Sequence, residues 1–143
     1  MKRLFLALLL IAPLPQALNN PSTTNTSVIL GRKIGANFNS TADQAISMPP
    51  TGYSIAAIEI NNASISLTTA VGGFYSAASK GGTVLVPATQ TYTFLTGSTK
   101  RMDAALTSDA VNTKFTLGTV YFALTTAQGA AATADIYVIG RRF

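Results

Sequence analysis

The stretch "SIAAIEIN", residues 54–61, decides the fold class of this chain. Ile58 and Ile60 alternate with Glu59, so apolar and polar side chains fall on opposite faces of an extended backbone. This period of two, with β-branched residues on the apolar face, is typical of a half-buried β-strand. Five further runs carry the same pattern and are predicted strands: residues 64–68, 91–95, 114–117, 120–125 and 134–140. The apolar residues expected to face the core there are Ile65, Leu67, Tyr92, Phe94, Phe115, Leu117, Val120, Phe122, Leu124, Ile136 and Val138.

Turn-forming residues separate these runs at short intervals. The clearest are "PPTG" at residues 49–52 and "SKGG" at residues 79–82, and the second is predicted to be a hairpin turn. Short strands at such spacing predict an all-β fold, an antiparallel β-sandwich or jelly-roll-like single domain over residues 28–143. Residues 1–27 are predicted to form an apolar segment with a polar linker, outside this domain. A helix is expected only in the N-terminal run and in one turn near residues 104–105.

Composition limits the chemistry that the chain can perform. The 143 residues are enough for one domain, and 10% of them are charged, against about a quarter in ordinary soluble domains. The sequence has no Cys and no His, which excludes disulfides, thiolate zinc sites and the usual nucleophile–histidine pairs. We therefore expect no enzymatic activity, no cofactor and no metal. The carboxylates are Asp43, Glu59, Asp103, Asp109 and Asp135.

The N-terminal run "MKRLFLALLLIAPLPQA", residues 1–17, has two interpretations. Its basic start and apolar residues 4–12 are typical of a signal peptide, although cleavage after Ala17 would place Pro15 where a small residue is preferred. Alternatively it is a retained arm that anchors the protein on a neighbouring subunit. Nine apolar residues are too few to span a bilayer, which needs about 20 in a helix.

Eight of the ten basic residues come in adjacent pairs, and the formal net charge is +5. Such pairs are either solvated turns and termini or contacts to an acidic surface. A dedicated nucleic-acid site is not expected, because aromatic residues do not interleave with the basic ones. Tyr75, Tyr92, Tyr121 and Tyr137 are expected on sheet surfaces or at interfaces. The candidate interface residues are Leu4, Phe5, Leu8, Arg32, Lys33, Lys100, Arg101, Arg141 and Arg142.

The hexapeptide pattern Leu-Thr-Thr-Ala-x-Gly occurs at residues 67–72 and again at residues 124–129. We expect Leu67 and Leu124 to be the last core-facing residues of two strands, with the glycine allowing the backbone to turn. Both copies should then lie at equivalent strand ends on the same rim of the sandwich. The alternative is a coincidence in a chain rich in Ala and Thr.

Three longer stretches resemble a known group of proteins. They are "NFNSTADQAI" (37–46), "SISLTTAVGGFYSAASKGGTVLV" (64–86) and "FALTTAQGAAATADIYVIG" (122–140), and they resemble small structural proteins of tailed bacteriophages over most of the chain after residue 30. The resemblance implies a non-enzymatic capsid decoration protein of the virion, homo-oligomeric and partnered by the major capsid protein. The alternative is an exported β-sandwich module that binds carbohydrate or a cell surface, exported or periplasmic if residues 1–17 are cleaved.

Overall fold

The computed structural model describes residues 26–97 and 99–143, and almost all regular structure there is β. The strands form two antiparallel four-stranded sheets, in the orders β1-β8-β3-β6 and β2-β7-β4-β5. The predicted all-β sandwich is therefore confirmed. The elements are β1 (Val28–Asn37), β2 (Gln44–Ser47), β3 (Tyr53–Asn61), β4 (Val71–Ala77), β5 (Gly81–Val86), β6 (Arg101–Asp103), α1 (Ser108–Asn112), β7 (Thr119–Thr126) and β8 (Thr133–Arg142).

The core lies between the two sheets and is built by the alternation seen in the sequence. In β3, Ile58 and Ile60 are fully buried, whereas the intervening Glu59 is partly exposed. The strands at 120–125 and 134–140 are confirmed as parts of β7 and β8, and their predicted inward residues are all buried. An aromatic cluster fills the centre, and its members are Phe38, Phe74, Tyr92 and Phe122.

Three predicted strands are loops instead: residues 64–68, 91–95 and 114–117. The last two pair with a strand only through isolated bridges, at Thr91 and at Phe115. The loops bury Leu67, Tyr92 and Phe115, but Ile65 and Phe94 are 39% and 65% exposed and Leu117 is partly exposed. The prediction was wrong because a loop that buries one side chain can imitate a short alternating strand.

The hairpin predicted at residues 79–82 is confirmed, since the turn joins β4 to β5. Ser79 and Lys80 both have φ of 57°, the left-handed conformation that a tight hairpin turn requires. No helix forms at residues 104–105. The helix α1 begins three residues later, because the Thr107 hydroxyl accepts a hydrogen bond from the backbone N–H of Ala110 at 3.1 Å and so caps its first turn.

The two Leu-Thr-Thr-Ala-x-Gly copies lie side by side at one rim of the second sheet, because Val71 pairs with Thr126 and Gly72 with Leu124. The expected common rim is confirmed, but the copies do not occupy equivalent strand ends. The first copy leads into β4 and the second runs out of the end of β7, as two neighbouring antiparallel strands require. Gly72 lies inside β4 with a negative φ, and Gly129 alone of the two closing glycines has a positive φ, of 79°.

Candidate interface surfaces

The fold does not gather the predicted basic residues into one surface. Arg32 and Lys33 lie on β1, at the edge of the first sheet. Arg141 and Arg142 are opposite Ser54 and Tyr53, at one end of β3, whereas Arg101 is opposite Asn61 at the other end. The basic pairs therefore lie on separate parts of the sheet. Leu4, Phe5 and Leu8 are outside the described residues.

Arg101 is held by two carboxylates and contributes little net positive charge. Its Nη2 lies 2.5 Å from Oε1 of Glu59 and 3.4 Å from Oδ1 of Asp103. Glu59 and Asp103 are directly opposite each other on β3 and β6, and would repel without the guanidinium between them. We conclude that Arg101 stabilises the outer face of the first sheet. The neighbouring Lys100 is exposed.

The β1 edge is an exposed apolar surface at the margin of the first sheet. Val28, Ile29 and Ile34 are 40%, 54% and 58% exposed on this strand. Arg32 is exposed and Lys33 partly so, and the described residues place no carboxylate in an ion pair with either. We call these five residues the β1 edge.

A shallow groove runs along the β1 edge, lined by Ile29, Leu30, Gly31, Arg32 and Ser47. It lies where β1 approaches β2, the edge strand of the other sheet. The approach is close because a Cβ on Gly31 would lie 2.6 Å from the carbonyl oxygen of Ser47 and 2.6 Å from the sulfur of Met48. Glycine at position 31 therefore lets the two sheets meet along this side of the sandwich.

The second apolar surface is at the opposite side of the sandwich, where β5 meets α1. Val84 and Val111 are 38% and 46% exposed there, and Asp109 on the same helix is exposed. Thr107 attaches the helix to the strand, since its hydroxyl donates to the Val84 carbonyl at 2.6 Å and its backbone N–H donates to the Leu85 carbonyl at 3.0 Å. We call Val84, Asp109 and Val111 the β5–α1 edge.

The tyrosines do not form the surface that the sequence suggested. Tyr92 is fully buried, its hydroxyl donates to the Gly72 carbonyl at 3.1 Å, and burial raises its pKa. Tyr75 is 2% exposed, and its pKa is raised by burial and by the carboxylate of Asp43. Only Tyr121 and Tyr137 are partly exposed, as expected for sheet-surface residues.

Tyr53, which the sequence did not single out, is also fully buried. Its hydroxyl donates to the Leu117 carbonyl at 2.9 Å, and burial raises its pKa to about 12. This hydrogen bond connects β3 to the loop at residues 114–117. The only signal for Tyr53 in the sequence was its position one residue before "SIAAIEIN". Tyr53 and Ile55 are two residues apart and therefore lie on the same, inward face of β3.

Within residues 26–97 and 99–143, no group of three or more acidic side chains is placed to hold a metal ion. The same part of the chain has no helix with the length and hydrophobicity needed to cross a bilayer. Comparison of the chain with protein-family models, with curated protein sequences and with solved structures found no match.

Proposed function

We propose that this chain is a non-enzymatic structural protein of a bacteriophage virion, a capsid decoration or stabilising protein that acts through contacts between subunits. The observation that carries the proposal is the pair of exposed apolar edges on opposite sides of one sandwich. Exposed apolar residues that are grouped on one element of a folded domain, and not scattered singly, are typical of protein–protein contact sites. The low charge density supports the same role, because few charged groups lose their water when neutral surfaces meet.

The strand pairing adds support of a different kind. β1 pairs with β8, β2 with β7, β3 with β6 and β4 with β5. We infer from this nested order that the sandwich has jelly-roll connectivity, an arrangement shared by many viral capsid domains. A domain of this kind stabilises a shell by binding it only when folded, so that each contact favours both the shell and the domain.

Jelly rolls also include lectin domains, which keeps the exported binding module as a second candidate. The outer face of the first sheet favours it in one respect. Arg32, Tyr137 and Glu59 lie in one row across β1, β8 and β3, which places a partly exposed aromatic ring between two hydrogen-bonding side chains. A sugar ring could stack on such a residue while its hydroxyls bond the neighbours.

Mass spectrometry of purified virions tests the first candidate against the second. A virion structural protein should be present at high copy relative to the major capsid protein. Its absence from purified particles, with the chain recovered from the periplasm or medium, would overturn the proposal. The first residue of the recovered protein decides the role of residues 1–17: a chain that begins near Leu18 has lost a signal peptide, and one that begins at Met1 or Lys2 has kept an arm.

A further inference from the structure

The exposed large hydrophobic residues of the described chain fall into four groups. Three of them lie on β1 and two on the β5–α1 edge. Two more, Ile65 and Phe94, lie in loops, and the last is Phe143. The charges beside each group decide which of them can pack against each other.

The β1 edge carries Arg32 and Lys33, so a partner surface needs apolar residues together with negative charge. Phe143 does not fit, because the Lys114 ammonium lies 4.8 Å from its ring centroid. Neither Ile65 nor Phe94 has a charged residue within three positions in the sequence. The β5–α1 edge fits, since Asp109 accompanies Val84 and Val111, and no ion pair among the described residues engages it.

A symmetric contact between two β1 strands is disfavoured by the same charges. When its two-fold axis passes near the centre of β1, it brings Arg32 and Lys33 of one copy close to the same residues of the other, and facing like charges are destabilising. The strand also has register shifts between Ile29 and Gly31 and between Lys33 and Ala36. Such irregularities in an edge strand oppose the addition of another strand through its backbone. Packing of side chains against a different surface is the remaining arrangement.

We propose that this chain associates head to tail, with the β1 edge of one copy packed against the β5–α1 edge of the next. These two surfaces would make the subunit contacts of the proposed function, and in this respect the proposal rests on that function. β1 adjoins β2 at one side of the sandwich, whereas β5 is the edge of the second sheet farthest from β2. The two surfaces are therefore different and lie on opposite sides, so the contact repeats from copy to copy and produces a ring or a filament.

Charge reversal in the full-length chain tests the proposal. Arg32→Glu combined with Lys33→Glu places anions against Asp109, and Asp109→Lys places a cation against Arg32 and Lys33. Each variant alone should associate about tenfold more weakly at low ionic strength, as measured by light scattering over a concentration series. An equimolar mixture of the two should recover association, because every contact in an alternating assembly is then between opposite charges.

Two controls keep the result interpretable. Circular dichroism establishes that each variant is folded. We expect the fold to be kept, because the substituted side chains are exposed or partly exposed. Phe94→Ser removes an exposed aromatic residue outside both edges and should leave association unchanged, whereas Ile29→Ser together with Ile34→Ser should weaken it by about tenfold or more.

Three results would overturn the head-to-tail contact: a monomer for the natural sequence at every concentration, an Asp109→Lys variant that associates normally, or a mixture that does not recover. Weaker association of the variant with Ile29→Ser and Ile34→Ser, without an effect of either charge-reversed variant, would indicate a symmetric β1 contact instead. None of these results depends on finding the protein in virions, so the failure of this contact and of the proposed function can be told apart.

Discussion

Gln128 and Thr69 bind each other through both side chain and backbone. Oε1 of Gln128 accepts a hydrogen bond from the backbone N–H of Thr69 at 3.1 Å, and the Thr69 hydroxyl donates to the Gln128 carbonyl at 2.7 Å. Gln128 is 9% exposed, and its Nε2 donates to the Ser66 carbonyl and the Thr68 hydroxyl, both at 3.2 Å. One buried amide thus joins the two Leu-Thr-Thr-Ala-x-Gly copies, because it occupies the variable position of the second copy.

Gln128→Ala should lower the free energy of unfolding by about 2 to 3 kcal/mol, because it removes the partner of the buried Ala70 N–H and of the part-buried hydrogen bonds to the Thr69 N–H and the Ser66 carbonyl. Urea denaturation measures the change. Gln44→Ala is the matched control, since the partly exposed Gln44 also makes two hydrogen bonds with a backbone, that of Asn37, and both bonds are exposed. Its cost should stay below about 1 kcal/mol. Equal costs for the two variants would show that the amide does not hold the rim together.

Leu67→Ala and Leu124→Ala should each cost about 2 to 5 kcal/mol, because both side chains are fully buried in the core. This holds although Leu67 lies in a loop and Leu124 in a strand, since the cavity left behind depends on burial and not on secondary structure. Thr126→Ala, at the exposed end of β7, should cost less than about 1 kcal/mol. Chemical denaturation of the three variants compares them directly, and a small effect at Leu67 alone would contradict the position of its loop.

Gly31→Ala should destabilise the domain by about 1 to 3 kcal/mol, because the added methyl group would collide with the Ser47 carbonyl where β1 meets β2. Gly118→Ala provides the comparison. A Cβ at position 118 meets nothing within 4 Å and the backbone has no positive φ, so the unfolding free energy should change by less than about 1 kcal/mol. Thermal unfolding followed by circular dichroism measures both, and similar melting temperatures for the two variants would contradict the close approach of the sheets.

Alkaline pH should destabilise the protein through its buried tyrosines. A tyrosine of the unfolded chain ionises with a pKa near 10, whereas Tyr53 in the folded protein has a pKa of about 12. The unfolded state therefore loses its proton first, and the stability that Tyr53 contributes below about pH 10 falls as the pH rises to about 12.

Urea midpoints at about pH 8 and about pH 11 measure this loss. Tyr53→Phe removes the ionisable group and should show a smaller drop between the two values, despite a lower stability at the first. The fully buried Tyr92 has a raised pKa too, so a part of the drop should remain. The same drop in both proteins would mean that Tyr53 ionises as easily in the folded state as in the unfolded one.

The sequence by itself determined the fold class and the strands that are buried on one face. Alternation in β3, β7 and β8 identified Ile58, Phe122 and Ile136 as core residues, because the side chains of a strand point to opposite faces in turn. The sequence also determined the hairpin at residues 79–82, because its turn depends only on the backbone angles of a few neighbouring residues. These features need no knowledge of distant parts of the chain.

Only the tertiary structure decided which loops are buried, where the basic pairs lie and which edges are apolar and exposed. Tyr92 and Leu67 are buried in loops because strands far away in the sequence enclose them, and no local pattern distinguishes such loops from strands. The separation of the basic pairs, and the neutralisation of Arg101 by Glu59 and Asp103, depend on how β3, β6 and β8 pair. The two apolar edges arise in the same way: pairing leaves β1 and β5 at the margins of their sheets, and a strand exposes the residues that no neighbour covers.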